Sequence, residues 1–197
     1  MALAWVKHGS NALLIAGLAA LAALFVVHAI GFVWWALPVG AAAFFVNEYT
    51  THRFAFHAPP SKIPFVLSLQ HRLHYDHHVE PDRVDLLFLP YWFVIPTAAA
   101  FFAVFLVATR DLGTALSLLT GALLALAYYE WVHYVAHVPY APRSPWARWM
   151  KKYHLWHHFK NEHLWYGVTN PSMDLPFRTY ARVEEAGRSA TTRKLFG

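Results

Sequence analysis

Ten histidines fall into four short patterns: His52 and His57 in "HRFAFH", His74, His77 and His78 in "HYDHH", His133 and His137 in "HYVAH", and His154, His157 and His158 in "HLWHH". Imidazole is the commonest side-chain metal ligand, and residues three or four apart share one face of a helix. His133 and His137 can therefore point at one atom, as can His74 with His77 or His78, and His154 with His157 or His158. On an α-helix His52 and His57 diverge by about 140°, at about 100° per residue. That pair needs a helix end between its members, or two metals. The adjacent pairs His77/His78 and His157/His158 also diverge, which suits two ions lying side by side. Ten imidazoles are too many for one ion and reasonable for two. Single histidines often cap helices or sit at a membrane interface, but neither role calls for a repeated "HxxHH".

Metal-bound imidazole usually donates its other N–H to a carboxylate, which fixes tautomer and ring orientation. Glu48 lies four residues before His52, Glu130 three before His133, and Asp76 inside the second pattern, so all three are candidates for that support. His71 shares a helical face with His74 and is a further candidate. His28 lies inside an apolar run away from the patterns and is expected to pack within its helix. The 197 residues include no cysteine, so any metal is held by nitrogen and oxygen.

The elements that position these residues are apolar. The chain is 57% hydrophobic and 14% charged, a membrane-protein composition. Runs such as "NALLIAGLAALAALFVVHAIGFVWWALPVGAAAFFV" and "YWFVIPTAAAFFAVFLVAT" lack Asp, Glu, Lys and Arg and have the length of bilayer-crossing helices, about 20 residues each. Apolar sequence continues far past the core of a signal peptide, so the first run is expected to be a retained helix. The expected fold is an all-α integral membrane protein, a single domain over 1–197, with transmembrane helices at 11–29, 31–56, 91–109 and 112–138. Gly31 and Pro38 blur the first boundary, and Asp111 with Gly113 marks the tight turn of the second hairpin. Of sixteen Lys and Arg only Arg110 falls between the third and fourth spans, so the positive-inside bias places both termini in the cytoplasm. Segments 57–89 and 139–197 then form a helical cytoplasmic cap holding a histidine-rich dimetal site. The net charge of +5 suits anionic lipid; the aromatics lie in apolar runs, not in a basic stripe, which argues against nucleic acid.

A pair of nitrogen-coordinated non-haem irons facing an apolar channel suits O2 activation and attack on an unactivated C–H bond, and the membrane supplies a lipid substrate. Zinc accepts the same ligands, and could occupy the purified protein, but structural zinc needs only four. At this point "HRFAFH", "HYDHHVEPDR", "HYVAH" and "KKYHLWHHFKN" with the following "YGVT" resemble the histidine boxes of the fatty acid hydroxylase/sterol desaturase superfamily, most closely its fatty acid 2-hydroxylase branch. The resemblance runs roughly from Asn47 to Asp174. It implies a four-helix membrane enzyme with a cytoplasmic di-iron cap that uses O2 and two electrons to hydroxylate a lipid acyl chain. It also implies that His52, His57, His74, His77, His78, His133, His137, His154, His157 and His158 are the metal ligands.

The family tends to have tryptophan before the aspartate that follows "GVT", whereas this chain has Met173 before Asp174. The fused b-type cytochrome domain common in eukaryotic 2-hydroxylases has no counterpart in the sequence, so electrons are expected from an external cytochrome or ferredoxin with its reductase. The basic stretch from Arg143 to Lys160, with Lys151 and Lys152, could dock such a donor or rest on anionic lipid. Trp146, Trp149, Tyr153, Trp156 and Trp165 are expected in the interfacial aromatic belt. The same metal chemistry could instead desaturate a chain, or act on a sterol or carotenoid ring. A membrane metal transporter would place polar ligands within the spans, where only His28 is expected.

Overall fold

The computed structural model describes residues 2–196, and every regular element among them is helical. In order these are α1 (Ala2–Lys7), α2 (Gly9–Val26), α3 (Ala36–Thr50), α4 (Pro64–Gln70), α5 (Asp76–Val79), α6 (Val84–Leu87), α7 (Tyr91–Thr109), α8 (Leu112–His137) and α9 (Pro145–Phe159). Two π-helical turns, Thr51–Phe56 and His71–Tyr75, continue α3 and α4. Three helical stretches are long and apolar enough to cross a membrane: Gly9–Val26, Val84–Thr109 and Leu112–His137. The segment expected as a second span divides into residues without helix, the 15-residue α3 and the first π-turn. Pro38 falls in the first turn of α3, where a missing N–H breaks no helical bond. His28 lies beyond the end of α2, exposed and left-handed at φ 54°, and not inside a helix as its apolar neighbours suggest.

The chain forms two compact units. One comprises Val46–Phe88 and Trp131–Gly197 and carries every patterned histidine. Its organiser is α9, which Ser144 starts by accepting the Ala147 N–H at 3.2 Å, with Pro145 in the first helical position. Met150, Tyr153, His154, His157 and His158 are its buried residues, at i, i+3, i+4, i+7 and i+8, so one stripe carries core and candidate ligands together. Met150, Tyr153 and Trp165 form a core against which Trp149 and Trp156 pack. Tyr153 and Trp165, expected in an interfacial belt, are thus fully buried. Each polar tip finds a partner, Tyr153 on Asp174 at 2.9 Å and the Trp165 indole on the Ala181 carbonyl at 2.9 Å. Lys151 is not a free docking charge either. Its ammonium donates to the carbonyls of Val135, Val138 and Tyr140 at 2.7–3.0 Å, capping the negative end of α8 next to His137.

The other unit comprises Met1–Phe45 and Leu89–Glu130. Here α7 ends at Arg110 in the left-handed conformation, φ 53°, and Asp111 begins α8 by accepting the Thr114 N–H and hydroxyl, each at 2.7 Å. The hairpin turn therefore rests on Arg110 and Asp111. Gly113, expected in the turn, is helical and serves a close approach, since a Cβ there would lie 2.6 Å from the Gly31 carbonyl oxygen. Two more glycines let α3 and α8 touch backbone to backbone: a Cβ on Gly40 would meet the Leu118 carbonyl oxygen at 1.9 Å, and one on Gly121 the Leu37 carbonyl oxygen at 2.1 Å. Without a hydrophobic drive between helices in lipid, such small-residue contacts supply the packing. Gly40→Ala or Gly121→Ala should each destabilise the detergent-solubilised protein by about 1–3 kcal/mol through overpacking. Gly17→Ala, in open space, should leave the thermal melting curve unchanged or slightly higher.

Candidate metal centre

His52 and His57 meet through the π-turn. The His57 N–H bonds the His52 carbonyl at 3.1 Å, five residues back, and this wide winding brings residues five apart onto one face. The divergence expected on an α-helix does not arise. His74 comes from the second π-turn, His77 and His78 from α5, His133 and His137 from the last turns of α8, and the remaining three from α9. All ten histidines then gather into two groups of five. The first is His52, His57, His74, His78 and His157; the second is His77, His133, His137, His154 and His158. Within each group one nitrogen per ring lies within 4.8 Å of all the others. Both adjacent pairs split, one ring to each group.

The ring nitrogens lie at hydrogen-bond distance from one another. In the first group Nε2 of His74 lies 3.2 Å from that of His52 and 2.8 Å from that of His57, which is 3.0 Å from that of His157. In the second, the Nε2 pairs His133/His77 and His154/His137 are 3.0 and 2.9 Å apart. His52 directs Nδ1 at the Tyr166 carbonyl at 2.6 Å, His157 at that of Leu164 at 2.8 Å, and His78 at that of Thr192 at 3.0 Å. A carbonyl only accepts, so each Nδ1 carries the proton and each Nε2 presents a lone pair to its group. Nε2 of His78 and both nitrogens of His158 are buried without a hydrogen-bond partner among the described residues. Burial, and behind it the neighbouring imidazoles, hold His57, His74, His77, His154, His157 and His158 well below the ordinary histidine range. Burial takes His78 down to about 3. Neutral, converging, orphaned lone pairs are what a metal cation satisfies, so the two groups fit a pair of ions. Neither group includes a carboxylate.

The carboxylates act elsewhere. Glu48 accepts the N–H groups of Val168 and Thr169 at 2.7 and 3.0 Å and the Thr169 hydroxyl at 2.5 Å. It braces the loop whose Tyr166 carbonyl orients His52, one step removed from the direct support its spacing suggests. Glu130 accepts the Leu89 N–H at 3.1 Å. Asp76 pairs with His71 at 2.8 Å on the surface, both about half exposed, so these two serve each other. The sequence did not single out Asp174 as an organiser. It accepts from Tyr153, Thr179 and the Tyr166 and Gly167 N–H groups at 2.7–2.9 Å, fixing the same loop from the other side. Its place as the aspartate that follows "GVT" was the available cue. The carbonyls of Leu164, Tyr166 and Thr192 carry no residue-type signal at all.

Residues 37–179 match the family model described as fatty acid hydroxylase. The chain is 32% identical over 136 residues to the fatty acid 2-hydroxylase of Rattus norvegicus, covering 67% of this chain and 36% of that protein. It is 32% identical over 152 residues to a dihydroceramide fatty acyl 2-hydroxylase of Arabidopsis thaliana, covering 77% and 62%. It is 36% identical over 147 residues to the ceramide very long chain fatty acid hydroxylase SCS7 of Saccharomyces cerevisiae, covering 72% and 37%. The match thus spans little more than a third of the rat and yeast proteins. Among solved structures, the visible hydroxylase domain of full-length scs7p superposes with a TM-score of 0.68 at 31% identity, over 79% of this chain and 58% of that one. The residues matched by the family model include the helices that carry the paired histidine groups, and the chain belongs to the fatty acid hydroxylase family.

Proposed function

We propose that this chain is a membrane-bound di-iron oxygenase that hydroxylates an acyl chain of a fatty acid or fatty-acyl lipid, at C2 by analogy with its relatives. The observation that carries the reading is the pair of buried groups of five histidines. The overall change is R–H + O2 + 2 e⁻ + 2 H⁺ → R–OH + H2O, with electrons from an external cytochrome or ferredoxin. The ten patterned histidines would hold the two irons, which when bound supply the O2-reducing chemistry.

The chain's own residues prepare that chemistry. The carbonyls of Leu164, Tyr166 and Thr192 keep three Nε2 lone pairs free, and Glu48 and Asp174 hold the loop that presents two of those carbonyls. Nine of the ten rings are buried, which keeps bulk water from the site and protects an oxidising centre from side reactions. The apolar helices offer the acyl chain a lipid-like path. We read α3 as a fourth span in addition to the three long apolar helices, its π-turn projecting out of the membrane as part of the histidine-bearing unit, which faces the cytoplasm together with both termini.

Mass spectrometry of total lipids from cells expressing the wild type should show species heavier by one oxygen, absent with His157→Ala and with His133→Ala. If both variants leave lipid oxidation unchanged, the reading fails; loss of two hydrogens in place of oxygen gain would make the chain a desaturase. Purified protein should bind two metal ions per chain. Iron-loaded protein should turn over with a supplied donor, and zinc-loaded protein should bind without turnover because zinc has no redox chemistry.

The rings also predict a pH dependence. Folding lowers these histidines below the unfolded value of 6.5, so on acidification the unfolded chain takes up protons first. Metal-stripped protein should lose thermal stability steadily as pH falls from 6.5 toward 3, and the metal-loaded form should hold to lower pH. A flat melting temperature between pH 7 and 5 in the stripped protein would contradict this.

A further inference from the structure

We propose that the C-terminal strap, residues 187–196, is a metal-positioning element that fixes the ring of His78 and so sets how firmly the first histidine group keeps its ion. The inference rests on the reading that the two groups hold metal. The strap lies beyond residues 37–179, which match the family model, and has no regular secondary structure. Its position comes from side-chain and backbone anchors on both sides of His78.

On one side the strap is tied to the residues that follow α9. The Ser189 N–H donates to the Lys160 carbonyl at 2.8 Å, and Asn161 Nδ2 donates to the Gly187 carbonyl at 3.1 Å. The Ser189 hydroxyl donates to Glu162 Oε1 at 2.9 Å, and the Thr191 hydroxyl to the same oxygen. Glu162 is 1% exposed, and its Oε2 has no partner among the described residues. Removing the strap would leave this buried carboxylate short of two more donors, so it favours the docked strap. On the other side Arg193 donates to the Val79 carbonyl at 2.9 Å and stacks its guanidinium 5.3 Å from the Phe159 ring centre. Phe196 lies 5.8 Å from the Tyr75 ring. Between the two anchors stands Thr192, whose carbonyl accepts Nδ1–H of His78 at 3.0 Å.

Val79 and Phe159 are the chain neighbours of His78 and His158, so the strap grips the ends of α5 and α9, the helices that deliver the adjacent histidine pairs. His52 and His157 take their tautomer from the Tyr166 and Leu164 carbonyls, inside the region that matches the family model. His78 depends on the strap. With the strap released, His78 could protonate either nitrogen and turn its ring, which weakens the first group while the second keeps its own ligands. Loss of such an orienting partner typically costs about 10–100-fold in metal affinity.

The test uses the full-length chain in detergent, loaded with zinc and challenged with EDTA, with ions per chain followed by elemental mass spectrometry. The double variant Glu162→Ala, Arg193→Ala should lose one of two ions at least about 10-fold faster than wild type, with the second leaving at the wild-type rate. The conservative pair Glu162→Gln, Arg193→Lys keeps an acceptor for the hydroxyls and a donor for Val79, and should restore slow release. Release of both ions at the wild-type rate would overturn the proposal. So would equal acceleration of both ions with a matching fall in melting temperature, since that marks general unfolding. Wild-type protein that binds no zinc, iron or other divalent ion would overturn the parent reading as well as this one.

Discussion

The structure depends on one arrangement that would be unfavourable by itself: in each group five imidazole rings, nine of the ten buried, bring nitrogens within 4.8 Å of one another. Burial makes the rings neutral, because a charged ring there would lose its hydration without gaining a counter-charge. Neutral rings at 2.8–3.2 Å can share protons only pairwise, and several nitrogens have nothing to share with. The fold therefore reserves room for cations. The short helices, the π-turns and the long loop after α9 all hold the ring nitrogens in that convergence.

Placing carboxylates outside the groups has its own logic. Glu48, Asp174 and Glu162 each accept two or more hydrogen bonds from backbone or hydroxyl groups. A carboxylate that organises a loop acts on the imidazoles through the carbonyls that the loop presents. These carboxylates lie behind the rings, at one remove, so the imidazoles alone define the shape of each group.

Much of the site was legible because its signal is residue type at helical spacing. "HYVAH" on α8 and "HLWHH" on α9 need only the periodicity of an α-helix to be read, and the splitting of adjacent pairs follows from the same geometry. The supporting layer was not legible, for a physical reason. Its acceptors are main-chain carbonyls of Leu164, Tyr166 and Thr192, and every residue has one. Lys151, Tyr153 and Trp165 were misplaced by the opposite error: amphipathic side chains suit an interface and a satisfied interior equally, and only the partner decides. Among the helices, long uncharged runs were clear. Gly31 signalled a boundary there, but the extent of the break before α3 did not show, because the Val33 N–H in it bonds Ser117, 84 residues away.

The first π-turn gives histidine spacing a meaning beyond this chain. His133 and His137 share a face at a separation of four because α8 is wound with α-helical turns; His52 and His57 share one at a separation of five because their turn is wider. The interval between two paired histidines is thus a written record of local winding, and a gap that looks defective against an α-helical template encodes a different turn that brings the rings together all the same. A search that insists on one interval would discard this box, and one that admits both could read the coil of a helix from the distance between its histidines.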